Sequence, residues 1–225
     1  MNILMVLTSH AELGDTGHKT GFWLEEFAAP YYAFIDAGAT VTLASPAGGQ
    51  PPVDPRSSEP ESQTEATQRF EQDSEAQALL AQTVALSAVK PEEYDAIFFP
   101  GGHGPMWDLA TDEGNARLVE AFYQQGKVIG AVCHGPAALV LAQDGQGQSI
   151  LKGKQVTGFT NEEEVAVDLD QVVPFALETR LAELGGQFSG GAKFEPKVVV
   201  DGRLVTGQNP ASSEPAAKAL IQALK

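Results

Sequence analysis

Cysteine is almost missing from this chain: among 225 residues there is one, Cys133. A single thiol excludes an internal disulfide and points to a reducing compartment. Cations are scarce too, 14 lysines and arginines against 30 aspartates and glutamates, for a formal net charge of −16. That balance argues against nucleic acid and anionic membrane surfaces as partners. No apolar run approaches the ~20 residues of a membrane span. The N-terminus, MNILMVLTSHAEL, lacks the basic start of a signal peptide. No internal repeat or boundary is visible, so the expectation is one cytoplasmic domain over residues 1–225.

What is present alternates between strand and helix patterns. Apolar runs at Asn2–Leu7, Thr40–Ala44, Asp95–Phe99, Val128–Val132 and Gln155–Phe159 read as strands. Helical spacing covers Phe22–Asp36, Asp73–Ala85, Asp112–Gln125, the stretch from Cys133 to about Ala142, Val173–Gly186 and Glu214–Leu224. Two β-rich runs around Asp201-Gly202 predict a tight hairpin. Ser45–Gln72, rich in Pro, Ser, Glu and Gly, reads as a long surface loop, as does Thr8–Thr20. The alternation predicts a doubly wound α/β sandwich, a mostly parallel sheet with helices on both faces.

The chemistry concentrates at KVIGAVCHGPAALV, residues 127–140. The lone cysteine ends a buried strand and enters a sharp turn before a helical pattern, as in a nucleophile elbow. A helix N-terminus there would lower the thiol's pKa and make it a nucleophile. A lone cysteine is more often a small buried hydrophobe; the strand-end position and the adjacent His134 favour chemistry. Gly101 and Gly102, after the strand ending at Phe99, can bring backbone N–H groups to an oxyanion or substrate, although a plain turn explains a bare glycine pair. One acid of Glu162–Glu164 can orient His134, or the cluster can simply sit at a helix N-terminus. Glu25 and Glu26 interrupt an apolar helical stretch, and residues alone do not separate them. His10, His18 and His103 show no metal spacing and read as loop or surface histidines.

The motifs AVCHGPAAL, FFPGGHGPMWDL, KTGFWLEEFAAPY, KQVTGFTNEEE and LVTGQNPASS, in that family's characteristic set and spanning nearly the whole chain, resemble the ThiJ/PfpI superfamily of glutamine-amidotransferase-like proteins. They look most like its glutathione-independent glyoxalase and heat-shock chaperone branch. The resemblance implies a flavodoxin-like fold and a homodimer. It implies Cys133 as nucleophile, His134 and Glu164 as the rest of a triad, Glu26 as a buried acid touching the sulfur, and the N–H groups of Gly102 and His134 as oxyanion donors. The metal ligands of larger bacterial chaperone members have no evident counterpart, so neither metal nor organic cofactor is expected. The implied reaction converts a small dicarbonyl, methylglyoxal, to lactate through a Cys133 hemithioacetal, with protein deglycation as a further activity. The rivals are a cysteine amidase or peptidase and a non-enzymatic holdase or redox sensor.

Overall fold

The computed structural model describes residues 1–225. Its strands are β1 (Asn2–Val6), β2 (Thr40–Ser45), β3 (Val84–Ala85), β4 (Ala96–Phe99), β5 (Val128–Val132), β6 (Gln155–Val156), β7 (Gln187–Phe188), β8 (Val198–Asp201) and β9 (Leu204–Gly207). Its helices are α1 (Leu24–Asp36), α2 (Glu65–Glu71), α3 (Ser74–Leu80), α4 (Glu113–Gln124), α5 (Asn161–Ala166), α6 (Leu177–Glu183) and α7 (Ser213–Ala223).

Seven strands form one sheet in the order β3-β2-β1-β4-β5-β9-β8, parallel throughout except for the β8–β9 hairpin. The chain starts at the centre with β1, winds outward to β3, then returns to the other side of β1 with β4. Right-handed crossovers place α1, between β1 and β2, and α4, between β4 and β5, on opposite faces, and α7 packs beside α1. The architecture is the expected flavodoxin-like doubly wound sheet. Strands covered on both faces need apolar side chains in both directions; β1 from Ile3 onward, β4 and β5 are accordingly buried at every residue. Phe22, Phe27, Phe34, Phe98, Phe99 and Phe122 are the largest fully buried side chains, each worth roughly 1.5–3 kcal/mol of transfer free energy.

Several boundaries differ from the sequence pattern. Ser45–Gln72 is not a bare loop: it holds two 3₁₀ turns and α2, and Asp54, Ser57, Thr67 and Phe70 within it are buried. Composition missed its local caps. Asp54 accepts the Arg56 N–H, and Thr64 and Thr67 cap α2 reciprocally. The helix expected over Asp73–Ala85 stops at Leu80, because Val84 and Ala85 pair with β2 as an edge strand. Beyond Cys133 the chain makes only a 3₁₀ segment, Gly135–Leu139. Only Gln155–Val156 of the expected strand is strand, and it pairs with β7 in a separate two-stranded sheet. The Thr157 N–H goes instead to Thr206 Oγ1 and that of Phe159 to the Cys133 carbonyl. Between Val173 and Gly186 only α6 is helical. No helix is long and apolar enough to cross a membrane.

The parallel strands β1, β4 and β5 end on the same side of the sheet, next to the switch in winding direction. Open α/β sheets bind their ligands there.

Candidate active site

Cys133 follows β5 directly and has φ 61°, left-handed backbone that costs a non-glycine residue conformational energy. The turn is tight: a Cβ at Gly135 would lie 2.2 Å from the Phe99 carbonyl oxygen, so only glycine passes there. Gly102 is similarly constrained, with φ 83° and room for no side chain against the Gly21 carbonyl. The strain is held in place by the ladder, since the Cys133 N–H bonds the Gly207 carbonyl and its own carbonyl accepts from Phe159.

His134 is fully buried. Its Nε2 lies 2.6 Å from Glu164 Oε2 and its Nδ1 3.4 Å from the Cys133 sulfur. A carboxylate can only accept, so Nε2 carries the hydrogen and Nδ1 turns a bare lone pair toward the thiol. Glu164 comes from α5. Its neighbour Glu163 is spent on structure, closing the Thr160 capping box and accepting from Phe194, Gln208 and Asn209. Of the acidic cluster, therefore, only Glu164 reaches the histidine, while Glu162 is exposed.

Glu26 enters from α1. The loop after β4 is pinned to the start of that helix by the Trp23 N–H on the Gly101 carbonyl, 3.2 Å. The Gly101 N–H donates to Glu26 Oε2 at 2.6 Å. That corrects the reading of Gly101 as an oxyanion or substrate donor, because its N–H is already used to hold Glu26. The backbone N–H groups of Gly102 and His134 have no acceptor within the chain. Glu26 Oε1 is buried without a partner of good hydrogen-bond geometry and faces the Cys133 thiol. Glu25, one residue earlier, turns to the other side of α1 and accepts from the Thr64 hydroxyl.

Burial pushes Glu26 up to about 8; the thiol and the Gly101 N–H offset this only in part. Burial, and next the facing Glu26, also push the Cys133 thiol up. This reverses the expected lowering: a five-residue 3₁₀ segment supplies little dipole, and Cys133 is only 4% exposed and sits beside an acid. Burial would raise Glu164 as well, but the two imidazoles it accepts from hold it well below the usual carboxylate range.

The second imidazole is His103, which the sequence reading left as a loop or surface residue. It is buried, with Nε2 2.6 Å from Glu164 Oε1. Behind it Arg56 places NH2 3.4 Å from Nδ1 and is itself gripped by Asp54 through Nε and NH2. His103 sits in a recognisable glycine turn; Arg56 had no sequence signal beyond the Asp54-Pro55 turn before it. His103, His134 and Glu164 also offer three ligand atoms within 4.8 Å of one another, a donor set suited to a divalent cation. Their 2.6 Å hydrogen bonds already satisfy them, and a cation would have to displace both.

Glu26, Gly102, His103, Cys133 and His134 line a cavity of about 150 Å³ walled by Trp23, Arg56, Phe159, Val167 and Phe194. A larger groove of about 710 Å³ between α1, α2 and α7 is lined by neither cysteine nor histidine.

A family model described as the DJ-1/PfpI family matches residues 19–223. The chain belongs to the DJ-1/PfpI family. Among relatives, Glyoxalase 3 of Candida albicans is 30% identical, covering 100% of this chain and 99% of that protein. Glutathione-independent glyoxalase HSP31 of Saccharomyces cerevisiae is 30% identical, covering 99% and 98%. Among solved structures of the same fold, the Rapid Encystment Protein 24 KDa of Francisella tularensis superposes with a TM-score of 0.95 at 41% identity, covering 100% of this chain and 99% of that one. Glyoxalase III of Candida albicans superposes with a TM-score of 0.93 at 29% identity.

Proposed function

We propose that this DJ-1/PfpI protein is a glutathione-independent glyoxalase that converts methylglyoxal to lactate on Cys133. The observation that carries the reading is Glu26, a fully buried carboxyl facing the sulfur and lifted to about 8. Amide hydrolysis by Cys133, His134 and Glu164 has no use for such a group. Moving a proton between adjacent carbons does. The full-length likeness to proteins named glyoxalases supports the same conclusion.

The geometry is consistent with the following steps. His134 Nδ1, 3.4 Å from the sulfur, takes the thiol proton as sulfur adds to the aldehyde carbon. This answers the raised thiol pKa: proton removal is coupled to attack, and no standing thiolate is needed. The alkoxide forms against the free N–H groups of Gly102 and His134 and takes the proton back from His134, giving the hemithioacetal. Ionised Glu26 removes the hydrogen from the former aldehyde carbon as a proton, giving an enediolate; the hydroxyl proton on that carbon passes by way of His134 to the former ketone oxygen. Glu26 returns its proton to the neighbouring carbon, leaving a lactoyl thioester. Water, with His134 as base, hydrolyses the thioester to lactate and restores the thiol. A carboxyl near 8 is a stronger base than an ordinary one and still exchanges its proton near neutral pH.

The deciding experiment measures lactate from methylglyoxal without glutathione, wild type beside Cys133→Ser. Lactate from wild type alone supports the reading. Equal rates, or turnover of amides with no lactate, would overturn it. Protein deglycation and a homodimer are further proposals that rest on likeness alone.

A further inference from the structure

We propose that His103 is a positioning residue of the reaction, fixing Glu164 and through it the tautomer of His134, with Arg56 fixing the tautomer of His103. The activity arm of the test rests on the proposed glyoxalase reading; the spectroscopic arm does not.

Asp54 is fully buried and accepts from Arg56 Nε at 3.0 Å, from Arg56 NH2 at 2.6 Å, and from Thr20 Oγ1 at 2.9 Å. The guanidinium is therefore set in one place, and it never loses its charge. Its NH2 lies 3.4 Å from His103 Nδ1. That contact is long for a strong hydrogen bond, but a permanent cation there excludes an N–H on Nδ1. The hydrogen of neutral His103 must then sit on Nε2, which points at Glu164 Oε1, 2.6 Å away. Burial, and then the neighbouring His134, with Arg56 contributing less, push His103 down to about 4, so it stays neutral across the working range.

Glu164 thus has one oxygen on each imidazole. A carboxylate held by one donor can swing about its last bond. Held by two donors on opposite oxygens it is fixed, and charge-assisted hydrogen bonds of this kind are the strong ones. Fixing Glu164 keeps the hydrogen on His134 Nε2 and the lone pair of Nδ1 on the sulfur. The rings of His103 and His134 are 4.0 Å apart between centroids, so His103 also limits how far His134 can tilt. The charged or titratable groups facing Glu164 are His134, His103, Arg56 and Cys133. Loss of one donor leaves a buried carboxylate with a single partner, and its proton affinity rises.

Two amide variants separate positioning from bulk. His103→Gln carries its N–H₂ near the place of Nε2 and can still donate to Glu164. His103→Asn ends near the place of Nδ1 and cannot reach it. Both are to be made in the full chain and checked for fold by circular dichroism and thermal melting. For His103→Asn, kcat for lactate formation is expected to fall about tenfold with KM nearly unchanged. About tenfold is the scale of one hydrogen bond to a charged group. His103→Gln is expected to restore kcat to near wild type. Nitrogen-15 shifts of the imidazoles supply the second arm: His134 is expected as the Nε2–H tautomer in wild type and His103→Gln, and as a mixture in His103→Asn. An unchanged kcat and an unchanged His134 tautomer in a folded His103→Asn would overturn the proposal. So would equal losses in both variants, which mean that only the ring's packing matters. If wild type makes no lactate, the glyoxalase reading falls, and the nitrogen shifts alone still decide the role of His103.

Discussion

Glu26 on the α1 side of the sulfur and Glu164 on the α5 side are both buried carboxyls, yet one is lifted to about 8 and the other held well below the ordinary range. Burial disfavours the charge of each; partners decide the outcome. Glu26 accepts one backbone N–H and otherwise faces a thiol, with Oε1 short of a well-formed hydrogen bond. Glu164 accepts from two imidazoles. One site thereby holds a carboxyl that can exchange its proton near neutrality and, behind the imidazoles, a carboxylate that stays charged to orient a base. Two acids pushed apart in this way assign their own roles.

The largest effect comes from removing what the two sides share. Cys133→Ser is expected to leave less than about a tenth of the lactate-forming rate, because a hydroxyl is a weaker acid and a poorer nucleophile than a thiol. A melting curve close to wild type would show that the fold is kept. Next is Glu26→Gln, which keeps size and hydrogen-bonding shape but offers no base. Lactate formation is expected to fall roughly 10²–10⁴-fold, while iodoacetamide still alkylates Cys133. In wild type kcat/KM is expected to rise as pH passes through about 8, where Glu26 ionises; in Glu26→Gln that rise is expected to vanish. Near wild-type turnover in this variant would make Glu26 a structural partner of the sulfur and move the hydrolase ahead.

Glu164→Gln tests the other side. An amide presents one acceptor oxygen to two N–H donors, so one of the imidazoles must turn or lose its partner. A fall in kcat of about 10²-fold is expected, the lower end of losses in general acid–base catalysis, and the rise near pH 8 is expected to persist. If the rise disappears here instead, the two acids have been given each other's roles.

The last effect is on stability rather than on rate. The folded-state pKa of Glu26 is raised from 4.5 to about 8. Within that window the folded chain keeps a proton that the unfolded chain releases, so this group's contribution falls as pH rises. Wild type is therefore expected to lose melting temperature relative to Glu26→Gln between about pH 4.5 and 8. Parallel curves for the two proteins would show that burial of Glu26 is incomplete.

Much was legible without coordinates. The apolar runs of β1, β2, β4 and β5, the turn at Cys133 and the β8–β9 hairpin follow from periodicity and turn chemistry, which act over a few residues. The likeness of five motifs to a known family pointed to Glu26 over Glu25 and to Glu164 among three acids. The failures have a common origin. Ser45–Gln72 was read by composition, yet it supplies Arg56 and the buried Asp54. His103 was set aside because no neighbour in sequence gave it a partner.

By itself the sequence determined the alternation of strand and helix, the strand-end cysteine and the glycines that let its turn close, since these depend on local backbone preferences and apolar patterning. Tertiary structure alone decided which groups meet. Glu26 reaches Gly101 across 75 residues, His103 reaches Glu164 across 61 and Arg56 across 47. Those meetings are set by strand order at the centre of the sheet, which no local pattern encodes. The direction of each pKa belongs to the same level: burial and hydrogen-bond partners set it, and both are properties of the packed site.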